Sequence, residues 1–243
     1  MRRFTSATLV LLALAVSAVG PARAEAPENL LFVGNSFSYY NNGLQNHYRR
    51  LLSAASPGGR APGRARLMTI SGGTLPEHRG GLEHMLRAYD WDAVVLQGYS
   101  LGPVDEVMAE PFRQAARRYA ESIRADGAEP VFFMTWAYIS RPEMTQALDE
   151  AYTAIGRELD ARVVPVGRAF AAVRDERDDI ALIMDDDKHP TLAGTYLAAC
   201  TFFAALTGET PAGLGYTAGL DAETAAYLQS VAWRTVREYA ARQ

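Results

Sequence analysis

Leu31-Phe32-Val33-Gly34-Asn35-Ser36-Phe37-Ser38 carries a short apolar run straight into a Gly-Asn-Ser turn. An apolar run of this length, closed by turn residues, suits a strand buried on both faces. We place the first strand over Asn29–Val33, and similar runs recur at Leu67–Ile70, Ala93–Leu96, Pro130–Thr135 and Arg162–Val166. Between them lie segments of helical periodicity: Gly43–Ala55, Glu77–Ala88, Val104–Ala125 and Arg141–Leu159. Pro111 marks a boundary or kink near the start of the third. Two more helices, Thr191–Leu206 and Ala222–Ala240, follow, with a Gly-rich connection between them. Strands alternating with helices predict an α/β fold whose parallel sheet is covered on both faces. No linker or fixed-period repeat interrupts the alternation. Residues 25–243 therefore read as one domain, and Pro57–Arg66, rich in Gly, Pro and Arg, reads as a solvated loop.

The chain has 243 residues, 49% hydrophobic and 21% charged, an ordinary globular composition that argues against disorder. Its start reads as a leader. Arg2 and Arg3 precede an apolar and small-residue stretch, Thr8–Gly20, and Ala22-Arg23-Ala24 has the small-x-small form of a cleavage site. Cleavage before Glu25 is expected, and so is an exported, periplasmic or secreted, protein. An uncleaved anchor is the other reading, but the run is short for a membrane span. Removing residues 1–24 takes away three arginines and no acids, which moves the charge from −4 to −7. That balance disfavours nucleic acid and anionic membranes as partners. Cys200 is the only cysteine, so no internal disulfide is possible, and its apolar neighbours suggest a buried, inert thiol.

Near the end, Asp185-Asp186-Asp187-Lys188-His189-Pro190 sets a carboxylate three residues before a histidine. A serine at a strand-to-helix turn, with Asp and His together on a late loop, supplies the parts of a nucleophile–base–orienter triad. Ser36 lies just beyond the first strand, at the sheet edge where ligands gather in open parallel sheets. Free backbone N–H groups there can hold an oxyanion, although a serine at such a position is also an ordinary helix cap. Of the four histidines, His47, His78 and His84 lie in or near helices and read as surface or packing residues. A metal site built from the three aspartates and His189 is the rival reading of the late loop. Contiguous residues point in different directions, and no second histidine pair supports it.

Gly34-Asn35-Ser36, Ser71-Gly72-Gly73-Thr74 after the second strand, a polar turn after the third, and Asp-x-x-His-Pro at 186–190 together resemble the SGNH (GDSL-like) hydrolases. The match runs in order over nearly all of residues 25–243. The resemblance implies a flavodoxin-like three-layer α/β/α sandwich with a five-stranded parallel sheet, and ester hydrolysis without metal or organic cofactor. It implies Ser36 as nucleophile, His189 as base and Asp186 as its orienter. The family's oxyanion-hole glycine falls on Gly72, with Gly73 as the other candidate. The family's third block, Gly-x-Asn-Asp, is replaced by Leu96-Gln97-Gly98-Tyr99-Ser100. Gln97 carries the carboxamide that would donate to the oxyanion; if it points into the sheet, Ser100 takes that place. The Gln-Gly pair is similar to the sialate-O-acetylesterase and acetylxylan-esterase branches, and suggests a carbohydrate ester. Trp136, Tyr39 and Tyr40 could stack on substrate or pack the rim. A ligand-binding protein without catalysis, and an acyltransferase acting on cell-envelope sugars, are the alternatives to a hydrolase.

Overall fold

The computed structural model describes residues 26–56 and 63–243; the expected leader and residues 57–62 of the Pro57–Arg66 loop lie outside them. Five strands form one sheet: β1 (Leu30–Gly34), β2 (Ala65–Thr69), β3 (Ala93–Leu96), β4 (Glu129–Phe133) and β5 (Arg162–Val164). They run parallel in the order β2-β1-β3-β4-β5, as the resemblance implied. In register, Gly34 faces Thr69 of β2 and Val33 faces Leu96 of β3. The segments leaving β1, β2 and β3 therefore emerge side by side at one edge. The chain goes from β1 outward to β2, then back past β1 to β3. That reversal opens a crevice at the carboxyl ends of β1 and β3.

The helices are α1 (Ser36–Tyr39), α2 (Leu44–Ala55), α3 (Arg79–Ala88), α4 (Ala109–Ala125), α5 (Met144–Glu158), α6 (Val166–Glu176), α7 (Leu192–Thr207) and α8 (Ala222–Ala240). Side chains alternate across β1. Leu30 and Phe32 pack with α2, α6, α7 and α8, while Leu31 and Val33 pack with α3, α4 and α5. Helix α7 is buried on nearly every side, which explains its largely apolar sequence. Among the described residues, no helix is long and apolar enough to cross a membrane. Cys200 lies inside α7, fully buried, and burial pushes its thiol up, out of reach of nucleophilic chemistry.

Several elements depart from the sequence reading; β2 begins at Ala65, inside the stretch read as a loop, and ends at Thr69. Helix α4 starts at Ala109, not Val104, because the Asp105 carboxylate accepts the Val107 and Met108 N–H groups (2.9 and 3.1 Å) and holds a turn there. Pro111 then falls within the first turn of α4, where its missing N–H costs nothing. The helix expected over Glu77–Ala88 is present as α3 from Arg79, and a 3₁₀ turn, Leu75–His78, leads into it, with the Glu77 carboxylate taking the Thr74 N–H at 2.7 Å. Helix α6 was not anticipated. Pro165 ends β5 early, and Val166, Ala169, Phe170 and Val173 then turn one apolar face to the core.

Candidate active site

The turn after β1 is built around two small polar residues and a glycine. A Cβ on Gly34 would lie 2.3 Å from Gln97 Oε1, so only glycine fits there. Asn35 caps α1 by accepting the Phe37 N–H (3.2 Å), and its Nδ2 donates to Gly73 O (3.1 Å), tying the first block to the second. Helix α1 is a single turn of four residues. It contributes little macrodipole; what it offers is the free N–H of its first residue, Ser36.

The late loop delivers a histidine to that serine. His189 Nε2 lies 2.8 Å from Ser36 Oγ, and its Nδ1–H donates to Asp186 Oδ2 at 2.5 Å. The other carboxylate oxygen accepts the backbone N–H groups of His189 (2.9 Å) and Lys188 (3.2 Å). Partial burial works against ionising Asp186. The hydrogen bonds from the His189 ring and the two backbone N–H groups outweigh it and hold the carboxyl down at about 2. Asp186 is thus a fixed negative charge beside an imidazole whose outer nitrogen meets a hydroxyl. That arrangement can take a proton from Ser36 and stabilise the imidazolium that results.

Several residues hold this geometry, and sequence reading had assigned none of them that task. The Tyr40 ring stacks on His189 (4.4 Å between centroids, 6° between planes), and Phe37 meets its edge. Asn41 Nδ2 donates to Pro190 O (2.9 Å) and to Thr195 Oγ1 (2.8 Å), fastening the far side of the loop. His47 in turn holds Asn41. Its Nε2–H donates to Asn41 O (2.6 Å), and its Nδ1 accepts from the Tyr216 hydroxyl (2.8 Å). Burial lowers the His47 pKa against the Asn41 bond, in keeping with a neutral ring. Asp187 takes the Ser140 N–H (2.7 Å) and hydroxyl (2.5 Å), pinning the segment after β4 to the late loop. His78 bridges Thr74 O (2.9 Å) and Gly34 O (2.7 Å) beneath the first two blocks. The signal for Asn41 and His47 was faint: two polar side chains facing a buried position only after folding.

A cleft of about 230 Å³ opens over Ser36 and His189, and Tyr39, Tyr40, Gly72 and Ser100 line it. Gly72 sits at φ +66° with open space where a Cβ would point, whereas the Gly73 N–H is already bound to Ile70 O (2.9 Å). Gly72, not Gly73, therefore has a backbone N–H available; among the described residues it makes no backbone hydrogen bond. A larger cavity, about 630 Å³, lies at the opposite edge of the sheet beside Glu129 and Arg162, which begin β4 and β5. Size does not make it the site, since no serine or histidine lines it.

Two expected site residues are placed elsewhere. Gln97 is fully buried beneath the turn. Its Oε1 accepts from Ser38 Oγ (2.6 Å) and Asn35 N (3.3 Å), and its Nε2 donates to Asn35 Oδ1 (2.6 Å) and Gly98 O (3.2 Å). Its amide protons are spent inside the protein, so none is left for an oxyanion in the cleft. Ser100 lines the cleft instead, its hydroxyl 2.6 Å from that of Tyr138. Trp136 is 1% exposed and offers no face to a substrate. It is sandwiched between Phe37 and Phe170 (4.3 and 4.2 Å), and its Nε1–H donates to Lys188 O (2.9 Å), so it supports the late loop from below. Tyr39 does line the cleft, its hydroxyl 2.9 Å from Ser71 Oγ.

No protein-family model and no curated protein matches this chain. Solved structures do. A candidate SGNH hydrolase from Slackia heliotrinireducens is 25% identical over 72% of this chain and 97% of its own, with a TM-score of 0.60. A DUF4886 family protein from Bacteroides uniformis is 17% identical over 86% of this chain and 94% of its own, at 0.64. Axe2, an acetylxylan esterase from Geobacillus stearothermophilus, is 18% identical over 77% and 97%, at 0.59. By its fold the chain stands in the SGNH (GDSL-like) hydrolase superfamily.

Proposed function

We propose that this protein is an exported serine ester hydrolase that cleaves a carboxylic ester through Ser36, His189 and Asp186. The observation that carries the reading is the unbroken relay from Ser36 Oγ through His189 to Asp186, at 2.8 and 2.5 Å. Ser36 attacks the ester carbonyl while His189 Nε2 takes its proton, and Asp186 stabilises the imidazolium. The N–H groups of Ser36 and Gly72, joined by the Ser100 hydroxyl, receive the oxyanion. Tyr138 donates to Ser100 Oγ in this scheme and leaves the serine proton free for that purpose. His189 then protonates the leaving alcohol, and water, activated by the same imidazole, releases the acyl group. Side chains and backbone supply every step, so EDTA should leave the rate unchanged.

A small cleft rimmed by tyrosines and serines favours a short acyl group on a polar alcohol, such as an acetylated sugar. Two catalytic mutants of the Geobacillus acetylxylan esterase replace an aspartate and a histidine three positions apart, the spacing of Asp186 and His189. Export rests on the leader-like residues 1–24. Transfer of the acyl group to another sugar hydroxyl uses the same groups, and a non-catalytic binder would need none of them. Chromogenic esters from acetate to palmitate, with and without an alcohol acceptor, separate the three. Hydrolysis of the acetate, labelling of Ser36 by a fluorophosphonate and loss of both in Ser36→Ala are expected. Undiminished turnover in that variant would end the serine-esterase reading.

A further inference from the structure

The chain has one lysine among 24 basic residues, and it is Lys188, directly before the histidine that meets Ser36. Its backbone is clamped from both sides. Lys188 O accepts the Trp136 indole N–H (2.9 Å), and Lys188 N–H donates to Asp186 Oδ1 (3.2 Å). The residue is half-buried and lines the cleft together with Ser36, His189 and Ser100.

Three aspartates precede Lys188, yet among the described residues its ammonium forms no ion pair. Asp186 is committed to His189 and Asp187 to Ser140. Burial raises the Tyr138 hydroxyl, and both the Ser100 hydrogen bond and the nearby Lys188 charge oppose that rise. Lys188 shares the lining of the cleft with Ser100, whose hydroxyl meets that of Tyr138. A substrate that fills so small a cleft strips water from that ammonium, which is costly unless the substrate brings an anion to it.

Resting on the esterase reading above, we propose that Lys188 is a specificity residue that binds a carboxylate on the alcohol part of the ester. The substrate class is then an O-acylated acid: an acylated acidic sugar or hydroxy acid, not a neutral one. The preference must come from this one side chain, since the protein as a whole is negative and repels anions at long range.

The test compares 3-acetoxybenzoate with its neutral isostere 3-acetoxybenzamide, on folded protein at low salt. The wild type should favour the carboxylate about ten- to a hundred-fold in kcat/KM, as a charge-assisted hydrogen bond provides, mainly through KM. The ratio should fall towards one in Lys188→Gln, recover in Lys188→Arg and drop below one in Lys188→Glu. It should also shrink as ionic strength rises. A ratio near one in the wild type, or a preference that survives Lys188→Gln, overturns the assignment while leaving the esterase intact. If the wild type hydrolyses neither ester, nor p-nitrophenyl acetate, the esterase reading falls and this inference falls with it.

Discussion

Gln97→Ala separates a structural from a catalytic role at the position where this chain leaves the pattern of its superfamily. The side chain is wholly buried and holds four hydrogen bonds. On its removal, Asn35 Oδ1 keeps the Phe37 N–H, but the Asn35 N–H and the Ser38 hydroxyl lose the acceptor they have in the structure. A buried polar group left without a partner costs about 1–3 kcal/mol, so the pair costs roughly 2–6 kcal/mol before any cavity is counted. For a domain of this size that lowers the thermal midpoint by roughly 4–24 °C. Differential scanning calorimetry measures the shift, and ester hydrolysis assayed well below the midpoint measures the rate. The rate should fall far less than the roughly hundred- to thousand-fold expected for a lost oxyanion donor. An unchanged midpoint with a hundred-fold lower kcat would refute the reasoning and return Gln97 to the oxyanion hole. Gln97→Glu adds a pH signature. A carboxylate facing Asn35 Oδ1 in a buried site has a raised pKa. Its destabilisation is therefore absent below the ordinary glutamate pKa and grows as pH rises towards the raised value.

Ser100→Ala should lower kcat with little change in KM, since its hydroxyl acts on the transition state; steady-state kinetics on p-nitrophenyl acetate would show it, and a silent variant would remove Ser100 from the oxyanion hole. Asp186→Asn should cost on the order of 10⁴-fold in kcat, because the charge that stabilises the imidazolium is gone. Asp187→Asn should cost far less in rate: asparagine tolerates the left-handed backbone there (φ +76°) and still accepts the Ser140 N–H. Asp186 is held at about 2 against an ordinary 3.8, so it contributes stability above the higher value that is lost as pH falls through the lower. Urea melts of wild type against Asp186→Asn should therefore differ by a constant amount near neutrality, with the gap closing as the pH drops towards 2.

Sheet and layers were legible because each strand is a short apolar run and each helix has a period that can be counted. Ala93–Leu96 and Ala222–Ala240 fall where the sequence put them. Boundaries slipped where a side chain competed for backbone N–H groups, as Asp105 does before α4. The helix Val166–Glu176 was passed over because it begins immediately after a proline that also closes a strand, leaving no polar interval to announce it.

At the site, the sequence alone determined which groups meet. Asp186 and His189 share one turn of chain by covalent spacing, and the resemblance carried by Gly34-Asn35-Ser36 and Asp-x-x-His-Pro paired them with Ser36, 153 residues away. The tertiary structure alone decided which way Gln97 and Trp136 point. Each follows a buried strand, and a residue there can face the cleft or the core with the same neighbours in sequence. The choice rests on partners distant in the chain. Asn35 and Ser38 take up the Gln97 amide, and Phe37, Phe170 and the Lys188 carbonyl enclose the Trp136 indole. Hydrogen-bond satisfaction and aromatic packing of that kind are settled only when segments 34 to 99 residues apart close on one another.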